Sequence, residues 1–347
     1  MGLTEFIEQI SSEDDGDTFS FSSLSELSGI SRDEVLKLAE IWNTWSDQRV
    51  LGLVSRLWGL AEDDALLEFE NVFTEALNLN LPEARSVAVN GLTESSDPKV
   101  IGRISKLLSE DNSEIVRLAA AQALSGFAIM ARDEKLRPID MKRLRISLDH
   151  ALARPNESPN VRRRVLETIG AFTVDEVILH INRAYTSGDE LLVQSALIAM
   201  ARSSDSRWLP EVTQELKNPS AAVRYEAAQA LGRIGDETHA DRLKQTINDT
   251  DSHVAIASCE ALAALGGIAA KELLAVAMQS DRSTLSEAAL DAIRFLVEED
   301  AMSGDKEGMF GIFGDEFAEE PISDVFENSG NEFHPFKNLE TDSPNWN

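Results

Sequence analysis

The chain has 347 residues, of which 61 are Asp or Glu and 32 are Lys or Arg, so its formal net charge is −29. This charge repels nucleic acids and anionic membrane surfaces, which argues against nucleic-acid and membrane partners. The single cysteine, Cys259, excludes an intramolecular disulfide and a multi-cysteine metal site. Because the sequence has no signal-peptide pattern and no apolar run of membrane-spanning length, we expect a cytoplasmic protein.

The first sixty residues contain two segments of different character. Residues 1–30 are rich in Ser and acidic residues and contain no Lys or Arg. Residues 31–61 contain two amphipathic helices, and the first begins with a capping box from Ser31 to Glu34. Three of the five tryptophans lie here: Trp42, Trp45 and Trp58. They indicate either a helical cap on the following repeats or an aromatic anchor for a partner.

A helical stretch recurs through the middle of the chain, and its clearest copy is VRYEAAQALGRIGD, residues 223–236. The equivalent index positions are Arg85, Arg117, Arg162, Val193, Arg224, Ala255 and Ser286. Successive steps are 32, 45, 31, 31, 31 and 31 residues, which indicates a repeat with one insertion. A small or β-branched residue follows each index position by three and a larger aliphatic residue by seven, which predicts one buried helix face.

Second helices are predicted between these copies, for example THADRLKQTIND at residues 238–249. Ser or Asp precedes most index positions by four residues and predicts an N-cap. Glycines after the repeated helices, such as Gly235 and the pair Gly266 and Gly267, predict helix ends with a left-handed residue. Each unit is therefore a helix pair, and neighbouring pairs bury their apolar faces by stacking.

The column pattern D/N-x-x-x-x-V-R-x-x-A-A-x-A-L-G resembles HEAT repeats, most closely the short bacterial type named after phycobilisome lyases. The resemblance covers residues 62–298, and it implies an all-α fold: a right-handed α-solenoid of about seven helix pairs. It also implies a structural role for the index arginines Arg85, Arg117, Arg162 and Arg224, each bonding to a polar residue of an adjacent repeat. The polar column reads Asp111, Asn156, Ser187, Asn218, Asp249 and Ser280.

The 45-residue step contains an insertion of about 14 residues between Ala131 and Asn160. From Arg132 to Arg164 there are ten basic and five acidic residues, which reverses the charge of the whole chain. This surface is either a solvated helix face or a site for an anionic partner segment. The candidate partner-binding residues are Lys135, Arg137, Lys142, Arg143, Arg145, Arg163 and Arg164.

From residue 299 to 347 the sequence is acidic and rich in Gly, Ser, Asn and Pro, which predicts a disordered tail. Seven of the 21 aromatic residues nevertheless lie in the last 47 residues. Spaced aromatic residues in an acidic segment indicate a short docking motif or loose packing on the chain's own solenoid. The candidate docking residues are Phe310, Phe313, Phe317 and Phe326. Docking of this tail on the basic insertion stays open.

The residues provide no recognisable catalytic pattern. The five histidines lack the spacings of metal ligands, including the His-Glu pairs of the di-iron hydroxylase branch of HEAT proteins. Cys259 occupies a small-residue column, which favours a buried structural thiol over a nucleophile. We therefore expect no catalytic residues, no metal and no cofactor.

The sequence favours a non-enzymatic scaffold that binds a protein partner on the solenoid surface or through the acidic tail. One alternative is a chromophore lyase or isomerase with a bilin-binding surface, as the name of the resembling family suggests. A HEAT-like alkylpurine glycosylase is a further alternative, but its basic nucleic-acid-binding face conflicts with the charge of −29.

Overall fold

The computed structural model describes residues 21–95 and 97–303, and within these ranges every regular element is a helix. The α-helices are α1 (Phe21–Ser25), α2 (Arg32–Trp42), α3 (Asp47–Asp63), α4 (Glu70–Ala76), α5 (Pro82–Asn90), α6 (Pro98–Glu110), α7 (Glu114–Arg132), α8 (Pro138–Ala153), α9 (Pro159–Ile169), α10 (Asp175–Tyr185), α11 (Glu190–Ser203), α12 (Leu209–Glu215), α13 (Ala221–Ile234), α14 (Ser252–Leu265), α15 (Gly267–Met278) and α16 (Ser283–Ser303). Three 3-10 segments span Ser206–Trp208, Glu237–Lys244 and Thr246–Asn248. The all-α prediction is confirmed.

The helices form two compact units, residues 1–172 and 173–347. In the first unit α3, α5, α7 and α9 pack on one another in chain order, and α6 packs on both α7 and α8. In the second unit α11, α13, α14 and α16 pack in chain order, with α10, α12 and α15 as companions. Each repeated index position therefore lies on a helix that stacks on its neighbours within a unit.

The repeat columns occupy the core. The residues three after the index positions, Ala88, Ala120, Val165, Ala196, Ala227, Ser258 and Ala289, are all fully buried. Small side chains at these positions let neighbouring helices approach closely, and the larger aliphatic column fills the space beside them. Ser158, Asp189, Ser220 and Asp251 each accept a hydrogen bond from the first turn of the following helix. The predicted buried face and these four N-caps are confirmed.

The N-terminal helices continue this packing within the first unit. The side chain of Ser31 accepts from the amide of Glu34, and the carboxylate of Glu34 accepts from the amide of Ser31, so the predicted capping box forms. Trp42 is buried at 2% exposure, whereas the guanidinium of Arg49 lies 4.8 Å from the ring centroid of Trp45. α3 packs on α5, and α2 packs on α4.

The segment that follows α13 differs from its prediction. Residues 238–249 were expected to form the second helix of this pair, but the segment forms two 3-10 helices, Glu237–Lys244 and Thr246–Asn248. The buried side chains of these segments are Ala240, Leu243, Thr246 and Ile247. Their apolar members, Ala240, Leu243 and Ile247, have the spacing of an α-helix, so the apolar pattern alone did not predict the 3-10 geometry.

The glycines after α13 and α14 have different roles. Gly266 and Gly267 have φ of 67° and 78°, as expected for left-handed residues at a helix end. Gly235 has φ −85° and ψ −177°, so the left-handed prediction is wrong there. A Cβ at Gly235 would lie 2.6 Å from the carbonyl oxygen of Leu231 and 2.9 Å from Leu265 Cδ2. Close packing, and not backbone handedness, requires glycine at this position.

By length and apolar composition, α7 alone among the described helices could cross a membrane. Half of its most apolar window is buried inside the fold, where α7 packs on α5, α6, α8 and α9. Its buried residues, including Leu124 and Phe127, belong to the core of the first unit. The buried core helix of a protein can have the same length and apolar composition as a membrane-spanning helix, so these two properties are weak evidence for a membrane span.

Candidate protein-binding surface

Two index arginines form paired hydrogen bonds with an aspartate of the next repeat. Arg224 donates from Nε to Asp249 Oδ2 at 2.7 Å and from Nη2 to Asp249 Oδ1 at 2.8 Å. Its third nitrogen, Nη1, donates to the carbonyl oxygens of Asn218 and Pro219. Arg85 makes the same bidentate contact with Asp111, at 2.8 and 2.9 Å. This planar two-point geometry suits a guanidinium and fixes the relative position of two helix-pair loops.

The other two arginines use different acceptors from those in the predicted polar column. Arg117 bonds to the carboxylate of Glu157, with Nη2 to Oε1 at 2.8 Å, whereas the neighbouring Asn156 is exposed. Arg154 also donates to Glu157 at 3.1 Å, so one fully buried carboxylate serves two guanidinium groups. Arg162 donates to the backbone carbonyl oxygens of Arg154 and Pro155. The acidic partner of Arg117 therefore lies one residue later than expected.

The basic insertion forms the end of α7, a short connection and the whole of α8. Most of its cations have acidic partners inside the same segment or, for Arg164, three residues beyond it. The pairs are Arg132–Asp133, Lys135–Asp133, Arg137–Asp140, Arg143–Asp140, Arg145–Asp149, Arg154–Glu157 and Arg164–Glu167. The tightest, Arg137 to Asp140 at 2.6 Å, uses a carboxylate that is 1% exposed. These pairs partner individual cations, but residues 132–164 still contain five more basic than acidic residues.

The seven candidate residues differ in their exposure and in their ion pairs. Lys142 and Arg143 are exposed on the face of α8 that borders α6. Lys142 makes no ion pair with any residue in the described ranges, and Arg143 reaches Asp140 only at 3.9 Å. Arg163 and Arg164 are half-buried on α9, apart from that face. Lys142 and Arg143 are thus the candidates on this face of α8, whereas Lys135 and Arg137, each 67% exposed, pair with Asp133 and Asp140.

α6 and α8 enclose a shallow groove with a volume of about 510 Å³. Lys142 and Arg143 line it from α8 and Lys106 from α6, and the apolar side chains of Ile139 and Ile146 extend along the same face. Ile139 is 60% exposed and Ile146 is 51% exposed. The sequence analysis did not identify these isoleucines, although their spacing of seven residues places them on one helix face beside Lys142 and Arg143.

The remaining predicted features have these positions. Phe310, Phe313, Phe317 and Phe326 lie outside the described residues, and so does the predicted tail beyond residue 303. Cys259 is a buried thiol, and burial together with the nearby Glu260 raises its pKa to about 12. Within the described ranges no three His, Cys, Asp or Glu side chains are grouped so as to hold a metal ion.

Comparison with known proteins identifies the repeats. Residues 209–294 match the family model of HEAT repeats. An epoxyqueuosine reductase of Bacillus subtilis (strain 168) is 34% identical over 61 residues, which are 17% of this chain and 16% of that protein. The chain therefore spans about a sixth of the length of this curated relative.

The comparison with solved structures gives two similar chains. The first is from a structure in which Kap95p binding induces the switch loops of RanGDP to adopt the GTP-bound conformation. The matched chain has 13% identity and a TM-score of 0.52, and the match covers 88% of this chain and 46% of that chain. YibA of Escherichia coli has 16% identity and a TM-score of 0.45, covering 82% of this chain and 99% of that chain. The likeness to the Kap95p structure supports the solenoid fold, whereas assignment to the phycobilisome-lyase type stays a prediction. Residues 209–294 therefore contain HEAT repeats, and the chain has an all-α solenoid fold.

Proposed function

We propose that this HEAT-repeat protein is a non-enzymatic scaffold that binds another protein on the surface of its helices. One observation carries the proposal: the insertion interrupts a regular repeat with an exposed surface that is both apolar and basic. Ile139 and Ile146 are more than half exposed there, beside Lys142 and Arg143, in a chain of charge −29. Exposed apolar side chains rimmed by charge are typical of protein interaction sites.

Two further observations support a binding role. The index arginines Arg85, Arg117 and Arg224 bond within the stack of repeats, so they serve the framework and leave recognition to other positions. Kap95p, whose structure is similar to this chain, binds RanGDP. We include a cytoplasmic location in the proposal, because the buried free thiol of Cys259 fits a reducing compartment.

The test is affinity capture from the native cell, followed by chemical crosslinking and mass spectrometry. We expect a stoichiometric protein partner with crosslinks to the helices of residues 21–303. The control is the same chain after denaturation. Circular dichroism verifies that its helices are lost. Failure to retain any partner at physiological salt, together with turnover of a small molecule, would contradict the scaffold function.

The bilin-binding alternative has its own measurement. When a bilin binds to a folded protein, the conformation of the bilin becomes restricted and the absorption spectrum of the bilin changes. We expect no spectral change when bilin is added to the purified chain. A saturable change at equimolar protein would favour the lyase or isomerase alternative over the scaffold.

A further inference from the structure

The groove between α6 and α8 has two matched walls. On α8 the lining residues Ile139, Lys142, Arg143 and Ile146 follow helical spacings of three, four and seven, so they share one face. On α6 the lining residues are Gly102, Ser105, Lys106, Ser109 and Glu110, which follow the same spacing. An exposed His150 continues the α8 wall. Two parallel ridges of this kind form a channel for one elongated segment.

The floor of the groove contains an unsatisfied polar group. Ser105 is 4% exposed, and its hydroxyl has no hydrogen-bond partner among the described residues. A buried hydroxyl without a partner costs free energy that a ligand atom can recover. The guanidinium of Arg143 packs over Gly102, where a Cβ would lie 3.1 Å from its Nη1.

The charge of the groove is opposite to that of the chain. Lys106, Lys142 and Arg143 face it, and Glu110, 3.9 Å from Lys106, is the acidic side chain that lines it. Lys106 is 72% exposed and Arg143 is 54% exposed, so both reach solvent. In a protein with 61 acidic residues this local excess of cations attracts an acidic segment and disfavours a basic one.

We propose that this groove binds an acidic amphipathic helix of a partner protein, with two apolar anchors on the isoleucines and carboxylates against the flanking cations. The proposal rests on the scaffold function and specifies its ligand. Ile139 and Ile146 lie about 10 Å apart along α8, at 1.5 Å per residue. Apolar residues seven apart on a partner helix match this distance, and acidic residues between them reach Lys142, Arg143 and Lys106.

The test uses the full chain and a synthetic peptide, SEEIAEEAEEFAES, labelled with fluorescein. It carries two apolar residues seven positions apart and acidic residues between them. Binding is followed by fluorescence anisotropy. We expect saturable binding at one peptide per chain, weakened about fivefold or more by Lys142→Glu and by Ile146→Ser. Replacing both apolar peptide residues by Ser, or all Glu by Lys, should abolish binding.

Two exposed positions elsewhere provide matched controls. Lys217→Glu makes the same charge change, and Ile268→Ser makes the same apolar change at a side chain that is 66% exposed. Both variants should bind the peptide as the unmodified chain does, and all four variants should unfold at the same temperature. Equal affinity of groove and control variants, or no binding to the full chain, overturns the proposal.

Two further outcomes separate this inference from the scaffold function. A chain ending at Ser303 that binds the peptide about tenfold more tightly would assign the groove to the chain's own C-terminal segment. That result overturns an external acidic helix as the occupant. A cellular partner whose capture is unaffected by Lys142→Glu and Ile146→Ser leaves the scaffold function standing and removes the groove from it.

Discussion

Arg224 connects two repeats through a partly buried pair, and its removal should cost more than loss of a surface charge. Its side chain is 16% exposed and that of Asp249 is 9% exposed. Arg224→Met keeps the apolar stem but leaves the carboxylate and two backbone carbonyl oxygens without their donor. We expect the free energy of unfolding to fall by about 2–4 kcal/mol, measured by urea denaturation. Arg242→Met, at an exposed position, is the control, and an equal loss there would refute the role of Arg224.

The pH dependence of this difference provides a second check on the same pair. Burial raises the pKa of Asp249, but hydrogen bonds from Arg224 and from the amide of Asp251 outweigh burial and hold that pKa below its usual value. A carboxyl whose pKa is depressed on folding stabilises above its unfolded pKa, about 3.9, and loses that contribution as pH falls. The difference between Arg224→Met and the unmodified chain should therefore be constant near neutral pH and shrink below about pH 4.

Glu157 and Asn156 are adjacent, but only Glu157 accepts from the arginines. The Glu157 carboxylate is fully buried, and it receives hydrogen bonds from Arg117, Arg154 and the amide of Ser158. Glu157→Gln removes the charge and turns an amide donor toward two guanidinium groups. We expect a loss of about 2–4 kcal/mol in the free energy of unfolding. Asn156→Ala, at an exposed side chain, should change it by less than about 0.5 kcal/mol; a larger cost there would restore the sequence-based assignment.

In the second unit, the amides of the 3-10 segments between α13 and α14 should be the least protected against hydrogen exchange. Hydrogen bonds in 3-10 helices have poorer geometry than those in α-helices, and long 3-10 runs are uncommon. We expect amides of residues 237–248 to exchange with deuterium at least about tenfold faster than those of α13 and α14. Hydrogen exchange with mass spectrometry measures this, with α15 as the internal control. Equal protection of the segment and its neighbours would show that side-chain burial alone sets local stability.

The repeat helices were predictable because their information is periodic. Ala227 and Leu231 belong to columns that recur seven times, and both are fully buried as expected. The exceptions depend on contacts between distant residues. The choice of Glu157 over Asn156 depends on which of the two side chains lies against Arg117, forty residues earlier in the chain. The requirement for Gly235 depends on a contact with Leu265, thirty residues away. Spacing within one sequence does not reveal either contact.

The candidate groove was only half visible in the sequence, for a related reason. The charge reversal identified Lys142 and Arg143, but counting charges gave equal weight to Arg145 and Arg164, which bond to acidic side chains. The contribution of α6 came from a different repeat, and Ser105 and Lys106 had no distinguishing pattern. A groove formed by two helices requires knowledge of which helices are neighbours.

At the scale of the whole molecule, a net charge of −29 opposes the compact state through self-repulsion. At 0.1 M salt, repulsion between exposed charges more than about 10 Å apart is largely screened. Partly buried pairs such as Arg224–Asp249 are screened less. We expect the melting temperature at neutral pH to rise by about 2–5 °C between about 10 and 300 mM NaCl. Near the sequence pI of about 4.5 the charge is close to balanced, so the same addition of salt should have little effect. A melting temperature that falls with salt at neutral pH would mean that ion pairs, and not net repulsion, dominate the electrostatic free energy of this fold.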